Sequence, residues 1–175
     1  MVESAQLEGT VKIPALMLLF LYGLSCAQNT ARDTAVEQMR RVAATMKACP
    51  EETTSQTEYA IFHIGPPTNL EWDVQESKSV RSPFQGIVKF NLPERIEESD
   101  KAKHSKKLHD QYMEATMLPL AYPKNVYYQY EFDLGNTNAD LVRMVVVNTQ
   151  TKESRPATRE GRCWEKAALG KTEKR

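Results

Sequence analysis

The chain has 175 residues, 41% of them apolar and 26% charged, and its 23 basic and 23 acidic side chains cancel. That size and mix fit one soluble globular domain with a short tail. A neutral chain lacks the clustered positive charge that gripping nucleic acid requires, and no repeat, collagen-like period or low-complexity tract is visible.

Residues 13–27 form an uncharged apolar run that closes on Ser25-x-Ala27. A membrane-spanning helix needs roughly 20 apolar residues, so this shorter run with small residues at its end predicts a signal peptide, residues 1–27, cut before Gln28. The leader departs from the usual basic pattern, because Glu3 and Glu8 outweigh Lys12. A retained membrane anchor is the alternative. A third reading is lipidation of Cys26, although Gly23 stands where a lipoprotein box normally carries an aliphatic residue. Cleavage leaves two cysteines, Cys49 and Cys163, and an even pair in an exported chain predicts a disulfide. A nucleophile or metal-ligand role has no sequence support, since Cys49 is followed by Pro50 and no CxxC or HxxxH spacing exists.

The domain is predicted over residues 28–165, with 166–175 as a polar tail. Thr34 with Glu37, and less strongly Thr30 with Asp33, have the spacing of a helix-start capping box. Val36, Met39, Val42, Ala43, Met46 and Cys49 then recur at helical spacing, with Arg40, Arg41 and Lys47 largely off the stripe. Pro50 ends the helix, which leaves the Cys49 thiol facing the core. Residues 59–64 predict a strand. The Gly65–Asn69 turn cluster and the alternation Leu70, Trp72, Val74 predict a hairpin from Tyr59 to about Glu76. Pro83 marks an edge, bend or bulge, beyond which Val88, Phe90 and Leu92 share a face.

Residues 94–123 read as a charged, partly helical excursion. Acid before base suits the helix dipole, with Glu97–Lys101 and Asp100–His104 four apart, and Leu108, Tyr112 and Ala115 hold its second half to the protein. Val126, Tyr128, Tyr130, Phe132 and Leu134 alternate strictly with Tyr127, Gln129, Glu131 and Asp133, which is the signature of an amphipathic strand. A turn at 135–138 leads to Leu141–Val147, apolar on both faces and therefore central in its sheet. The fold class is α+β: one N-terminal helix packed on a curved antiparallel sheet of four to five strands, in the order shared by cystatin-like and nuclear-transport-factor-like rolls.

The Trp72-Asp73-Val74 strand, the segment Ser82-Pro83-Phe84-Gln85-Gly86-Ile87-Val88 and the closing Cys163-Trp164 resemble uncharacterised exported bacterial proteins that share a W-x-V … S-P-[aromatic]-x-G-x-[aliphatic] pattern. The resemblance covers residues 59–164. It implies export and a small β-rich domain, and it carries over no functional residue.

No catalytic, cofactor or metal motif is present, so no catalytic residue, cofactor or metal ligand is assigned. His104 and His109 are five apart, where a helical zinc pair needs three or four. The Lys101–Lys107 run reads as a salt-bridged helix flank, with an acidic partner or lipid headgroups as the alternative. Candidate recognition residues are His63 and the polar row Tyr127, Gln129, Glu131 and Asp133. Two functions remain open. One is a secreted or periplasmic, non-catalytic binding or accessory protein of the envelope, with another envelope protein as one candidate partner. It touches the membrane only through its signal segment. The other is a small acid–base enzyme with a cone-shaped pocket, which would need His63 to meet Glu131 or Asp133 in a cavity between helix and sheet.

Overall fold

The computed structural model describes residues 15–78, 82–117, 124–135 and 138–169, with side chains from Thr30 onward. A helix α1 (Ala15–Lys47) is followed by strands β1 (Glu52–Gln56), β2 (Ala60–Ile64), β3 (Thr68–Glu76), β4 (Phe84–Asn91) and β5 (Glu94–Glu98). Helices α2 (Asp100–Lys103) and α3 (Lys106–Met117), strands β6 (Val126–Leu134), β7 (Ala139–Asn148) and β8 (Ser154–Pro156), and helix α4 (Cys163–Ala168) complete the order. The strands form a three-stranded sheet β1-β2-β5 and a five-stranded sheet β3-β4-β6-β7-β8, antiparallel throughout. The class is α+β, with the N-terminal helix on an antiparallel sheet, as the sequence predicts.

The apolar stripe of α1 packs as its period requires. Ala35, Met39, Val42, Ala43 and Met46 are buried, and Val36 leans on the same core. Opposite them lie Val74, Phe84, Val88, Phe90, Tyr130, Phe132 and Leu134, the inward residues of three neighbouring strands. The helix can come this close because β4 carries Gly86 beneath it: a Cβ built there would stand 2.2 Å from the Met39 Sδ. The predicted helix start differs. The backbone is helical from Ala15, so neither capping box begins it. Thr34 Oγ1 donates back to the Thr30 carbonyl at 2.9 Å, and Glu37 pairs with Arg40 and Arg41 on the helix surface. No proline or glycine lies between Leu24 and Lys47 to stop the preceding turns. The proposed leader falls partly outside the described residues: of 1–14 nothing is described, and of 15–27 only the helical backbone.

The hairpin predicted over 59–76 does not form. β2 and β3 are successive stretches of one long strand, and β5 and β4 are successive stretches of its partner. Ala60–Ile64 pairs with Glu94–Glu98, and Thr68–Glu76 pairs with Phe84–Asn91. The break between the two sheets falls at Gly65-Pro66-Pro67 on one strand and Pro93 on the other. Prolines cannot donate to a ladder, so the ribbon bends there and the chain passes into the second sheet. One hydrogen bond still crosses the bend, from the Gly65 N–H to the Pro93 carbonyl at 2.7 Å.

Residues 94–98, predicted to open a helix, are strand β5. Cross-strand pairing to β2 outweighs the local helical preference of a Glu/Arg-rich segment. The expected Glu97–Lys101 pair is therefore absent: Lys101 bonds Glu58 at 3.1 Å, and Asp100 bonds Lys103 at 2.9 Å rather than His104. The helical part starts at Ser99, whose hydroxyl caps α2 by accepting from the Ala102 N–H at 3.1 Å and also donates to the Glu58 carbonyl. Ala115 is buried and Leu108 and Tyr112 are half-buried, so α3 is held as its sequence predicts. Likewise β7 is central, flanked by β6 and β8, with Val145, Val146 and Val147 all buried.

Candidate functional site

Cys49, just past the last turn of α1, faces the core and is bonded to Cys163 at the start of α4, with Cα atoms 5.7 Å apart. The tail is fastened twice more at the same place. Glu52 of β1 accepts the Cys163 backbone N–H at 2.8 Å and pairs with the Arg162 guanidinium at 3.3 Å, while Arg162 also donates to the Thr53 carbonyl at 3.2 Å. α4 thereby sits against α1 and brings Trp164 and Ala168 into the core, at 2% and 0% exposure. Before it, the Glu165 carboxylate accepts the Glu160 and Gly161 backbone N–H groups, at 3.0 and 2.6 Å. Gly161 has φ 69°, the left-handed region where a residue without Cβ is unstrained.

His63 lies on β2, opposite Arg95 of β5 and Thr53 of β1. Its Nδ1 is 3.5 Å from Glu51 and its Nε2 is 3.3 Å from Glu97. Arg95 joins the same two carboxylates, at 2.6 and 3.1 Å. Its hydrogen bond holds the Glu51 carboxyl below the ordinary carboxylate range, and the Glu51 and Glu97 hydrogen bonds push the Arg95 guanidinium up. The four side chains form a closed network that ties the three strands together, with the imidazole 13% exposed. Neither Glu131 nor Asp133 belongs to it. Both lie on β6, in the other sheet, so the sequence-predicted candidates do not converge.

Tyr127, Gln129, Glu131 and Asp133 do share one face of β6, turned away from α1. Glu131 is 12% exposed there, accepting from Gln129 at 2.9 Å and facing Arg143 at 3.4 Å. Lys89 stands over the Tyr127 ring at 5.8 Å. Asp133 is directly opposite Asp140 of β7, like charge against like charge. His104 caps the end of α2, whereas His109 sits on α3 and bonds Glu98 at 2.7 Å. Among the described residues no three His, Cys, Asp or Glu side chains are placed to hold a metal ion.

A hollow that sequence reasoning missed lies past α1, between the inner face of β6–β8 and α4. It encloses about 250 Å³ and is lined by Tyr128, Tyr130, Val146, Arg155, Glu160 and Trp164, among others. The Trp164 indole donates to the Tyr130 hydroxyl. Burial pushes the Tyr128 phenol up to about 12 and the Tyr130 phenol further. The signal available in the sequence was the inward row Tyr128 and Tyr130 together with Trp164 beside Cys163; what it lacked was the position of α4. No protein-family model, curated protein or solved structure matches this chain.

Proposed function

We propose that the protein is an exported, non-catalytic binding or accessory protein that works in an oxidising compartment of the cell envelope. The observation that carries this reading is the filled space between α1 and the five-stranded sheet. Met39, Met46, Val88 and Phe132 are each 0% exposed, so among the described residues the centre of that space is packed with apolar side chains and leaves no room for an acid–base pair. The Cys49–Cys163 bond is compatible with export, since disulfides persist outside reducing compartments. An oxidised pair cannot supply a thiolate nucleophile. The W-x-V and S-P-F-x-G-x-V resemblance points the same way. No helix among the described residues is long and apolar enough to cross a membrane.

The recognition surface in this reading is the outer row of β6, where Tyr127, Gln129, Glu131 and Asp133 stand side by side. The test is a pull-down from the envelope fraction with the oxidised protein, run beside Glu131→Lys. A species retained by the native protein and lost from the variant supports the reading. Retention indifferent to that face, or recovery of the protein from the cytoplasm with Cys49 and Cys163 both reduced and Met1 intact, overturns it. An exported chain that begins at Gln28 is the expected product.

A further inference from the structure

The hollow between β6–β8 and α4 has the chemistry of a ligand site, and its one unengaged charged group says which kind. Three charged side chains line it, and two are already engaged. The Glu165 carboxylate accepts the Glu160 and Gly161 N–H groups, and Glu160 faces the Arg162 guanidinium at 3.4 Å. Arg155 is different. It projects from the edge strand β8, opposite Val146, is exposed, and its side chain makes no hydrogen bond or ion pair among the described residues. A planar guanidinium presents a fork of donors that fits a carboxylate in two parallel hydrogen bonds. Around it the lining is aromatic and apolar: Tyr128 and Val146 on the sheet, Trp164 and Tyr130 at the floor. A wider, open depression of about 620 Å³ shares Arg155 and Val146 with the hollow and gives it an approach from solvent.

We propose that this hollow binds a small single-ring aromatic carboxylate, with the acid group on the Arg155 fork and the ring against Tyr128 and Trp164. The size argument is direct. Drug-sized ligands occupy pockets of roughly 300–1,000 Å³. A cavity of about 250 Å³ takes one ring with a short acid arm and excludes larger bodies. The ring is favoured over an alkyl chain because the lining offers aromatic faces and edges, which pair with another ring in offset or edge-on geometry. The Glu160 rim disfavours a second negative charge and accepts from a ring hydroxyl. The inference rests on the reading of this protein as a binder, and it names the site and the ligand class.

The experiment uses the oxidised protein and two probes of one shape, benzoate and its neutral isostere benzamide. Binding is followed by backbone amide shifts and by the fluorescence of Trp164 in a Trp72→Phe background. Benzoate is expected to bind saturably, with the largest shifts at residues 155–158 and 164. A charge-assisted fork makes benzamide weaker by about tenfold or more. Arg155→Ala loses the same factor, and Arg155→Lys recovers part of it, since a lysine keeps the charge without the fork. Arg155 is exposed on an edge strand, and near-ultraviolet circular dichroism confirms that each variant is folded. Equal affinity for the two probes, an unchanged Arg155→Ala, or no saturable response overturns the site. Shifts confined to Tyr127, Gln129 and Glu131 also overturn it while leaving the binding reading intact. Chemical turnover of a probe overturns the binding reading itself.

Discussion

The contact between Met39 and Gly86 decides whether the helix–sheet space is filled, and Gly86→Ala tests it. An added Cβ would stand 2.2 Å from Met39 Sδ, 2.9 Å from Cγ and 3.0 Å from Cε. Ordinary carbon contacts lie near 3.5–4.0 Å, so these are short by about 0.5–1.8 Å. Met39 is 0% exposed and wedged among other core side chains, so its end cannot swing into solvent. Forcing a methyl into such a core costs about 1–3 kcal/mol. Restricting the unfolded chain by replacing glycine returns about 0.4–1 kcal/mol. Taken at their midpoints these leave a net loss of about 1.3 kcal/mol, and each kcal/mol moves the melting temperature by roughly 2–4 °C at this size. The partner variant Met39→Ala leaves a cavity and costs about 2–5 kcal/mol. In the double variant the new methyl occupies space that Met39 vacates, so the two losses should fall short of additive by at least about 0.5 kcal/mol. The assay is urea unfolding of all four proteins under oxidising conditions. A neutral Gly86→Ala would mean slack between α1 and β4. The case against a cavity there, and with it the main support for a non-catalytic protein, would then fail.

Reduction of the Cys49–Cys163 bond, which spans 114 residues, should lower stability by about 2–5 kcal/mol, read from denaturation with and without reductant. An unchanged midpoint would show that the Glu52–Arg162 clasp alone holds the tail. Asp140→Lys replaces a like-charge cross-strand pair with an attractive one opposite Asp133, and should raise stability by about 0.2–1 kcal/mol at low salt, with the gain shrinking as salt is added. A loss of stability would show that Asp140 is engaged otherwise. Burial raises the folded-state Tyr128 phenol to about 12. Its ordinary value is about 10, so its contribution is fully present below that pH. As pH climbs from there through about 12 the unfolded chain releases its proton first, and the contribution is lost. Alkaline melts should therefore fall less steeply for Tyr128→Phe than for the native protein. Parallel curves would place the phenol in water. The phenolate absorbance of the folded protein reports the same titration.

The closing of the C-terminal segment gives the disulfide more than a stabilising role. Trp164 and Ala168 belong to the core only because α4 is held against α1, and the hollow with Arg155 exists only while Trp164 forms its floor. Ala168, at the end of α4, is therefore part of the core. Reduction should reduce benzoate binding together with stability, which would tie the proposed site to the redox state of the cysteine pair.

Periodicity along the chain determined which side of each element is buried. The stripe from Val36 to Cys49, the alternation of β6 and the two-faced apolar run of β7 need only local spacing, because burial repeats with the geometry of a single helix or strand. The disulfide was legible for a similar reason: two cysteines in the predicted mature chain leave one pairing. Pairing partners were not legible. β2 finds β5 rather than β3 because prolines on both strands bend one long ribbon, and a turn-rich Gly65–Asn69 segment reads the same whether the chain reverses there or merely kinks. The polar β1 and the acidic β5 carry no apolar alternation, so only their ladders with β2 make them strands. The candidate residues divide in the same way. Tyr127, Gln129, Glu131 and Asp133 share a face by local geometry alone. Tertiary structure alone set His63 among Glu51, Glu97 and Arg95, far from that row, and brought Trp164 and Arg155 to one hollow, because contacts between residues distant in sequence depend on how whole elements pack.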